Sequence, residues 1–267
     1  MAILLSACLL TPGKFTSNLD IRRNGEFFFT YEGEITMMGV MQLAQMGRRG
    51  GEQSFAATNC FDDENTERTC TAAELADQKK EWEASQARSQ ERERRETEKL
   101  KTMLGGLDPT DPKSIEEFAA RLRRQAGWRA VVYKGDGKFD VDYALSGKLD
   151  HDFMFPLIEK FPTTYSFIQV LRRGDGTVRV DAPGFAPSAG NNMLGALVFG
   201  GMGSFGRSEP SMKLPEMDGT FTVTTDGEIL ANNTDGGPAR AAEGKQLTWA
   251  VNVRSAMPPT ALIRLSR

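Results

Sequence analysis

Residues 14–35 read KFTSNLDIRRNGEFFFTYEGEI. Two extended runs flank Asn24-Gly25, a dipeptide that readily supplies the positive φ angles of a tight turn, so the stretch predicts a β-hairpin. The same grammar returns along the chain. WRAVVYKGDGKFDVDYAL (128–145) sets Gly135-Asp136-Gly137 between extended runs, and SFIQVLRRGDGTVRVDAP (166–183) does so with Gly174-Asp175-Gly176. MDGTFTVTTDGEILANNTDGG (217–237) adds further Asp-Gly turns before two strand-like runs, KQLTWAVNV (245–253) and TALIRLS (260–266). Turn signals at such short spacing predict an antiparallel, hairpin-connected sheet.

Composition agrees with a turn-rich protein that has a core. Of 267 residues, 39% are hydrophobic and 9% aromatic, with 27 Gly and 12 Pro. A net charge of -3 leaves no basic excess for neutralising phosphates, which argues against nucleic acid as a partner. No apolar run reaches the roughly 18 to 20 residues that a spanning helix needs.

Helices are expected to interrupt the strands, which makes the fold class α+β. TMMGVMQLAQMGRR (36–49) carries Met37, Val40, Met41, Ala44 and Met46 near helical spacing, a stripe suited to core packing. A long helix should start at Thr71, where Thr71 and Glu74 form a capping box, and run to about Leu104, some 50 Å. Between Glu83 and Lys99 it has no apolar side chain larger than Ala. Its Glu91/Arg95, Arg92/Glu96 and Arg94/Glu98 pairs instead suit an exposed, solvated arm. Asp111 and Pro112 then open a shorter amphipathic helix through Ile115, Phe118, Ala119 and Leu122. LDHDFMFPLIEKFP (149–162) reads either as one helix or as a helix broken at Pro156.

The expected division follows these elements. Residues 1–8 are a shortened export signal, 9–51 the first hairpin and helix, 52–111 a loop and the charged helix as an insertion, and 112–267 the rest of the domain. Within the last part a Gly-rich flap is expected over 184–207, covering most of PGFAPSAGNNMLGALVFGGMGSFG (183–206). Its Met193, Leu194, Leu197, Val198, Phe199 and Phe205 need some surface to cover, either the protein's own sheet or a lipid pocket or bilayer.

Leu5, Ser6, Ala7 and Cys8 resemble the lipobox of bacterial lipoproteins, whose cysteine is acylated before the signal peptide is cut on its N-terminal side. The resemblance implies a mature protein beginning at Cys8 and held to a membrane by acyl chains. A secretory signal carries a basic segment and an apolar stretch of about 7 to 15 residues, and neither fits before Cys8; a start assigned too late, with Met1 inside the apolar segment, is one explanation. Leu9, where that family has Asp in inner-membrane proteins, points to the outer membrane and its periplasmic face.

Cys60 and Cys70 lie in FAATNCFDDENTERTC (55–70), a polar, loop-like stretch. An oxidising compartment favours a disulfide between them, closing a loop that contributes about 2 to 3 kcal/mol. The rival reading is metal, but C-x9-C lacks a second ligand pair, and DDEN lacks the spacing of a calcium loop.

Chemistry is harder to find. Gly201, Gly203 and Gly206 spell G-x-G-x-x-G with neither a preceding strand nor a following helix, so chance explains them. No phosphate loop, zinc helix or nucleophile elbow is present. His151, the sole imidazole, stands between Asp150 and Asp152. Asp140 and Asp142 fall on one strand face, as on a solvated edge. No catalytic residue, cofactor or metal ligand is assigned.

The order of the pieces resembles the LppM-type envelope lipoproteins. The likeness rests on CLLTPGKFTSNLDIRRNGEFFFTYEGEITMMGVMQLA (8–44) and on TFTVTTDGEILANNTDGGPARAAEGKQLTWAV (220–251), where Asn233, Gly236 and Trp249 take the matching places. It implies helices packed on a twisted antiparallel sheet, a lipid tether, and a lipid or other apolar ligand between sheet and helices. Two further functions are weighed: a scaffold using the helix 71–104 to contact a protein partner, and a hydrolase built around His151.

Overall fold

The computed structural model describes residues 10–37, 54–63, 65–159, 166–186, 217–255 and 257–265. In chain order, β1 (Thr11–Ile21) and β2 (Glu26–Thr36) precede a short ribbon of β3 (Cys60–Phe61) and β4 (Glu67–Arg68). Helices α1 (Ala72–Met103) and α2 (Pro112–Arg123) follow, then β5 (Trp128–Gly135), β6 (Lys138–Lys148), β7 (Phe153–Phe155), β8 (Ile168–Arg172) and β9 (Thr177–Asp181). A 3-10 turn at Pro183–Phe185 leads to the last strands, β10 (Asp218–Thr225), β11 (Glu228–Asn232), β12 (Ala239–Ala241), β13 (Gly244–Asn252) and β14 (Thr260–Arg264).

Apart from the β3–β4 ribbon, the described strands build two sheets rather than the one expected. The larger has the order β12-β13-β10-β1-β2-β6-β5 and the smaller β11-β14-β9-β8-β7. Local turn chemistry makes the hairpins. Gly25 has φ 83°, and Gly135, Asp136 and Gly137 all have positive φ between β5 and β6. The hairpin rule stops at Asp226-Gly227: β10 belongs to the larger sheet and β11 to the smaller, so this turn carries the chain across the layers. The larger sheet is also not purely antiparallel, because β1 lies parallel to β10, with Lys14 opposite Asp218 and Ile21 opposite Thr225.

The two sheets face each other over an aromatic core. Alternate residues of β1 and β2 point inward: Phe15, Leu19 and Ile21 from one, Phe27, Phe29 and Tyr31 from the other. Rings from the second layer meet them. Phe153 lies 5.2 Å from Phe29, Phe155 lies 5.1 Å from Tyr31, and Phe185 stacks on Phe15 at 4.3 Å. Burial drives the phenol pKa of Tyr143 to about 12 and that of Tyr31, whose hydroxyl donates to the Glu34 carbonyl at 2.7 Å, well above its usual value.

Helix α2 buries Ile115, Phe118, Ala119 and Leu122, with Asp111 accepting a hydrogen bond from the Lys113 N–H at its start. α1 has the Thr71/Glu74 capping box and is tied to the core at its far end, where Leu104 and Leu107 are buried. Most of its other side chains face solvent. Glu91 pairs with Arg95 at 2.8 Å, and Arg94 turns back to the same Glu91 at 3.0 Å. The stretch 149–162, read from sequence as helical, contains the strand β7, because Phe153 and Phe155 both face the core on alternating positions. Phe155 is followed by a cis bond to Pro156. Met37 is buried, but the rest of the helix expected over 36–49 lies outside the described residues.

One end of the sandwich collects several chain ends. There β1, β6 and β10 begin and β2 and β13 end in the larger sheet, while β8 and β14 begin and β7 and β9 end in the smaller. The Ala182 N–H donates to the Pro259 carbonyl at 2.9 Å, extending the β9–β14 pairing of the smaller sheet at this end.

Candidate functional site

The most elaborated feature outside the core is the clasp at the base of α1. Cys60 and Cys70 are bonded, with Cα atoms 5.2 Å apart. The bond holds the segment before β3 against the first turns of the helix. Gln78 completes the contact: its Oε1 accepts from the Thr58 N–H at 2.9 Å and its Nε2 donates to the Thr58 carbonyl at 3.2 Å, as a neighbouring strand would. Arg68 reaches Glu74 with two hydrogen bonds, of 2.6 and 2.9 Å, and the Thr71 backbone N–H donates to the same carboxylate at 2.8 Å. Together, Arg68 first and Thr71 second, they hold the Glu74 pKa down at about 2.

Along this clasp runs an open groove of about 540 Å³, lined by Phe55, Ala56, Thr58, Gln78, Trp82 and Ser85. The Phe55 and Trp82 rings meet edge to face at 5.9 Å. Sequence reasoning did not single out Phe55, Gln78 or Trp82. The signal was there in Trp82, a large apolar residue at the start of the solvated stretch of α1.

A second constellation centres on Asn233, where the turn after β11 meets β13 and β14. Its Oδ1 accepts from the Trp249 indole at 2.9 Å and from the Thr260 N–H at 2.8 Å, and its Nδ2 donates to the Pro258 carbonyl at 2.8 Å. A cleft of about 230 Å³ opens beside it, between Arg173, Arg179, Asn232 and Thr260. Arg179 is already paired to Asp181 at 2.7 Å. Of the positions matched to the envelope lipoproteins, Asn233 and Trp249 are therefore in direct contact, and their geometry is that of a structural tie.

The remaining sequence candidates are dispersed. His151 sits beyond β6 with its side chain 84% exposed and its Nδ1 against Asp150. That contact lowers the Asp150 pKa. A solvated imidazole of this kind has no enclosed site in which to take a proton from a nucleophile. Asp140 and Asp142 lie across from Glu34 and Glu32 on the outer face of the larger sheet, answered by Lys134 and Lys138. Burial would raise the Glu34 pKa, but hydrogen bonds from Lys138 and from the Lys14 N–H outweigh it and lower the value. Asp62 accepts from the Thr66 N–H at 2.8 Å within the ribbon turn. Among the described residues, no cluster of three or more His, Cys, Asp or Glu is placed to hold a metal, and no helix is long and apolar enough to cross a membrane. Cys8 and the flap residues Met193, Leu194, Leu197, Val198, Phe199 and Phe205 lie outside the described residues.

No family model matches the chain, and no curated protein does. Among solved structures, the folded domain of the Mycobacterium tuberculosis LppM protein is similar at 11% identity over 96% of this chain and 92% of that one, with a TM-score of 0.34. A superposition that loose assigns no role to any residue.

Proposed function

We propose that this chain is a non-enzymatic, lipid-anchored protein of the bacterial cell envelope. Acyl chains on Cys8 hold it at the periplasmic face of the outer membrane. The observation that carries the reading is the Cys60–Cys70 bond, a linkage that persists in oxidising compartments and is rare where thiols are kept reduced. It concurs with the lipobox-like Leu5-Ser6-Ala7-Cys8. The folded body serves recognition from its outer surface. An apolar ligand was expected between sheet and helices; the space between the two sheets is occupied by Phe29, Tyr31, Phe155 and Phe167, so a ligand there would have to displace close-packed rings.

The decisive experiment is mass spectrometry of the protein purified from its native membrane. An N-terminal acylated Cys8 and an intact Cys60–Cys70 bond are expected. Retention of Met1 with three reduced thiols overturns the reading.

A second reading, a scaffold that contacts a protein partner through α1, is favoured by the groove beside Trp82. Excising residues 71–104 would then abolish partner capture while the sandwich still unfolds cooperatively, whereas a partner retained by the excised protein rules the scaffold out.

A further inference from the structure

The three most exposed large hydrophobic side chains among the described residues are Met257 at 65%, Leu157 at 63% and Val253 at 56%. They come from two loops that are distant in sequence. Val253 and Met257 lie between the end of β13 and the start of β14, and Leu157 lies two residues past the end of β7. Strand pairing brings both loops to one end of the sandwich, the end at which β1 begins at Thr11. Scattered exposed hydrophobics are ordinary on a soluble surface, but convergence of the most exposed ones on a single end is not.

That end is also where an anchor would pull. Cys8 precedes Thr11 by three positions, a span of at most about 10 Å even fully extended. No linker separates an acylated Cys8 from the folded body, so the bilayer must lie against this end and not against the sides or the far turn at Asn24. We infer that Leu157, Val253 and Met257 form a membrane-contact surface that enters the interfacial region of the bilayer beside the lipid anchor. This inference rests on the anchoring proposed above.

The loop carrying Val253 and Met257 is built to hold its shape. The Asn252 N–H donates to Ser255 Oγ at 3.0 Å, the Arg254 N–H donates to Asn252 Oδ1 at 2.8 Å, and the Asn233 side chain holds the Pro258 carbonyl at 2.8 Å. Ordering has already been met in folding, so less entropy is lost when the side chains are buried in lipid. Arg254, exposed between the two apolar residues, has the long stem and charged head that suit the headgroup level. Two loosely held acyl signals or one chain plus a protein contact give firmer attachment than a chain alone, and this surface supplies the protein contact.

The test uses the full acylated chain in vesicles of phosphatidylethanolamine and phosphatidylglycerol. With Cys60 and Cys70 bonded and Cys8 acylated, a cysteine introduced by Met257→Cys, or separately by Val253→Cys, is the one reactive thiol to carry an environment-sensitive fluorophore. An Asn24→Cys label serves as reference, because the 11-residue β1 places it at the opposite end, roughly 35 Å away. The labels at 257 and 253 are expected to shift to the blue and to lose most of their quenching by aqueous iodide, while the label at 24 keeps its own. If Cys8 carries acyl chains and all three labels remain equally quenched, the contact surface is overturned and the anchoring stands. An unacylated Cys8 in the native membrane overturns both. Shielding at 257 in a Cys8→Ser protein without vesicles assigns the surface to a second copy and likewise overturns the bilayer contact.

Discussion

The indole of Trp249 donates its Nε1 hydrogen to Oδ1 of Asn233 across 2.9 Å, and this single side chain ties β13 to the entrance of β14. Trp249 is itself buried, stacked 5.5 Å from Phe221. Asn233→Ala strips partners from the Trp249 N–H, the Thr260 N–H and the Pro258 carbonyl together, and we expect a loss of about 2 to 4 kcal/mol in urea denaturation. A cycle with Trp249→Phe should return a coupling of about 1 kcal/mol. Strict additivity would show that the bond contributes nothing.

Phe155 is the hub of the ring network, meeting Phe29, Tyr31, Trp128, Tyr143 and Phe167. Phe155→Ala is expected to cost about 3 to 5 kcal/mol, by lost burial plus a cavity. Phe28, next to Phe29 but on the outer face of β2, is 45% exposed, and Phe28→Ala should stay within about 0.5 kcal/mol. Equal effects would contradict the placement of Phe155 inside the core and Phe28 outside it.

Gly33 sits opposite Phe15 where the β1–β2 register shifts, at φ +141°. A Cβ there would stand 2.2 Å from the Lys14 carbonyl oxygen and 2.6 Å from Phe15 Cα, both backbone atoms that cannot swing aside. Gly33→Ala should therefore destabilise by more than about 3 kcal/mol. Gly174→Ala, with nothing within 4 Å, is the matched control and should be close to neutral. A thermal melt separates the two at once.

The start of α1 should respond to acid. The Glu74 pKa is depressed from 4.5 to about 2 in the folded chain. Its bonds to Arg68 and Thr71 are thus fully present above the ordinary value and fade as pH falls toward 2. Helical circular dichroism should lose its first turns in that window. Glu74→Gln should be flatter over the same range, and an unchanged titration would contradict the assignment.

Reducing the clasp should loosen only its own neighbourhood. In a Cys60→Ala/Cys70→Ala protein, about 3 kcal/mol of loop-closure stabilisation disappears. Amide exchange should rise in residues 54–61 and at the start of α1, while β2 and β6 keep their protection. Exchange that rises uniformly would make the clasp part of the global folding unit.

The hairpins were legible because Asn-Gly and Gly-Asp-Gly act within four residues, and so was the capping box at Thr71. The second layer was not. Whether Asp226-Gly227 returns a strand to its neighbour or sends it to another sheet depends on where Ile229 and Ile263 find a face to bury, which no local pattern states. The run FMF at 153–155 is too short for periodicity to separate strand from helix, and only pairing with Val170 and Ile168 settled it. At the candidate site, the Cys60–Cys70 pair could be anticipated from composition. The groove could not, since Phe55 and Trp82 stand 27 positions apart in sequence and meet only through the fold.

Pairing β1 with β10 ties the first strand to one near the end, and Arg22 reaches across 221 positions to the Glu243 carbonyl. Until residues around Thr225 are available, one flank of the opening hairpin stays an uncovered row of donors and acceptors, a template that any passing strand can occupy. A chain delivered to its destination in order from its start would carry that vulnerability for almost the whole of its passage, and would need an escort or a fast pull to arrive unaggregated.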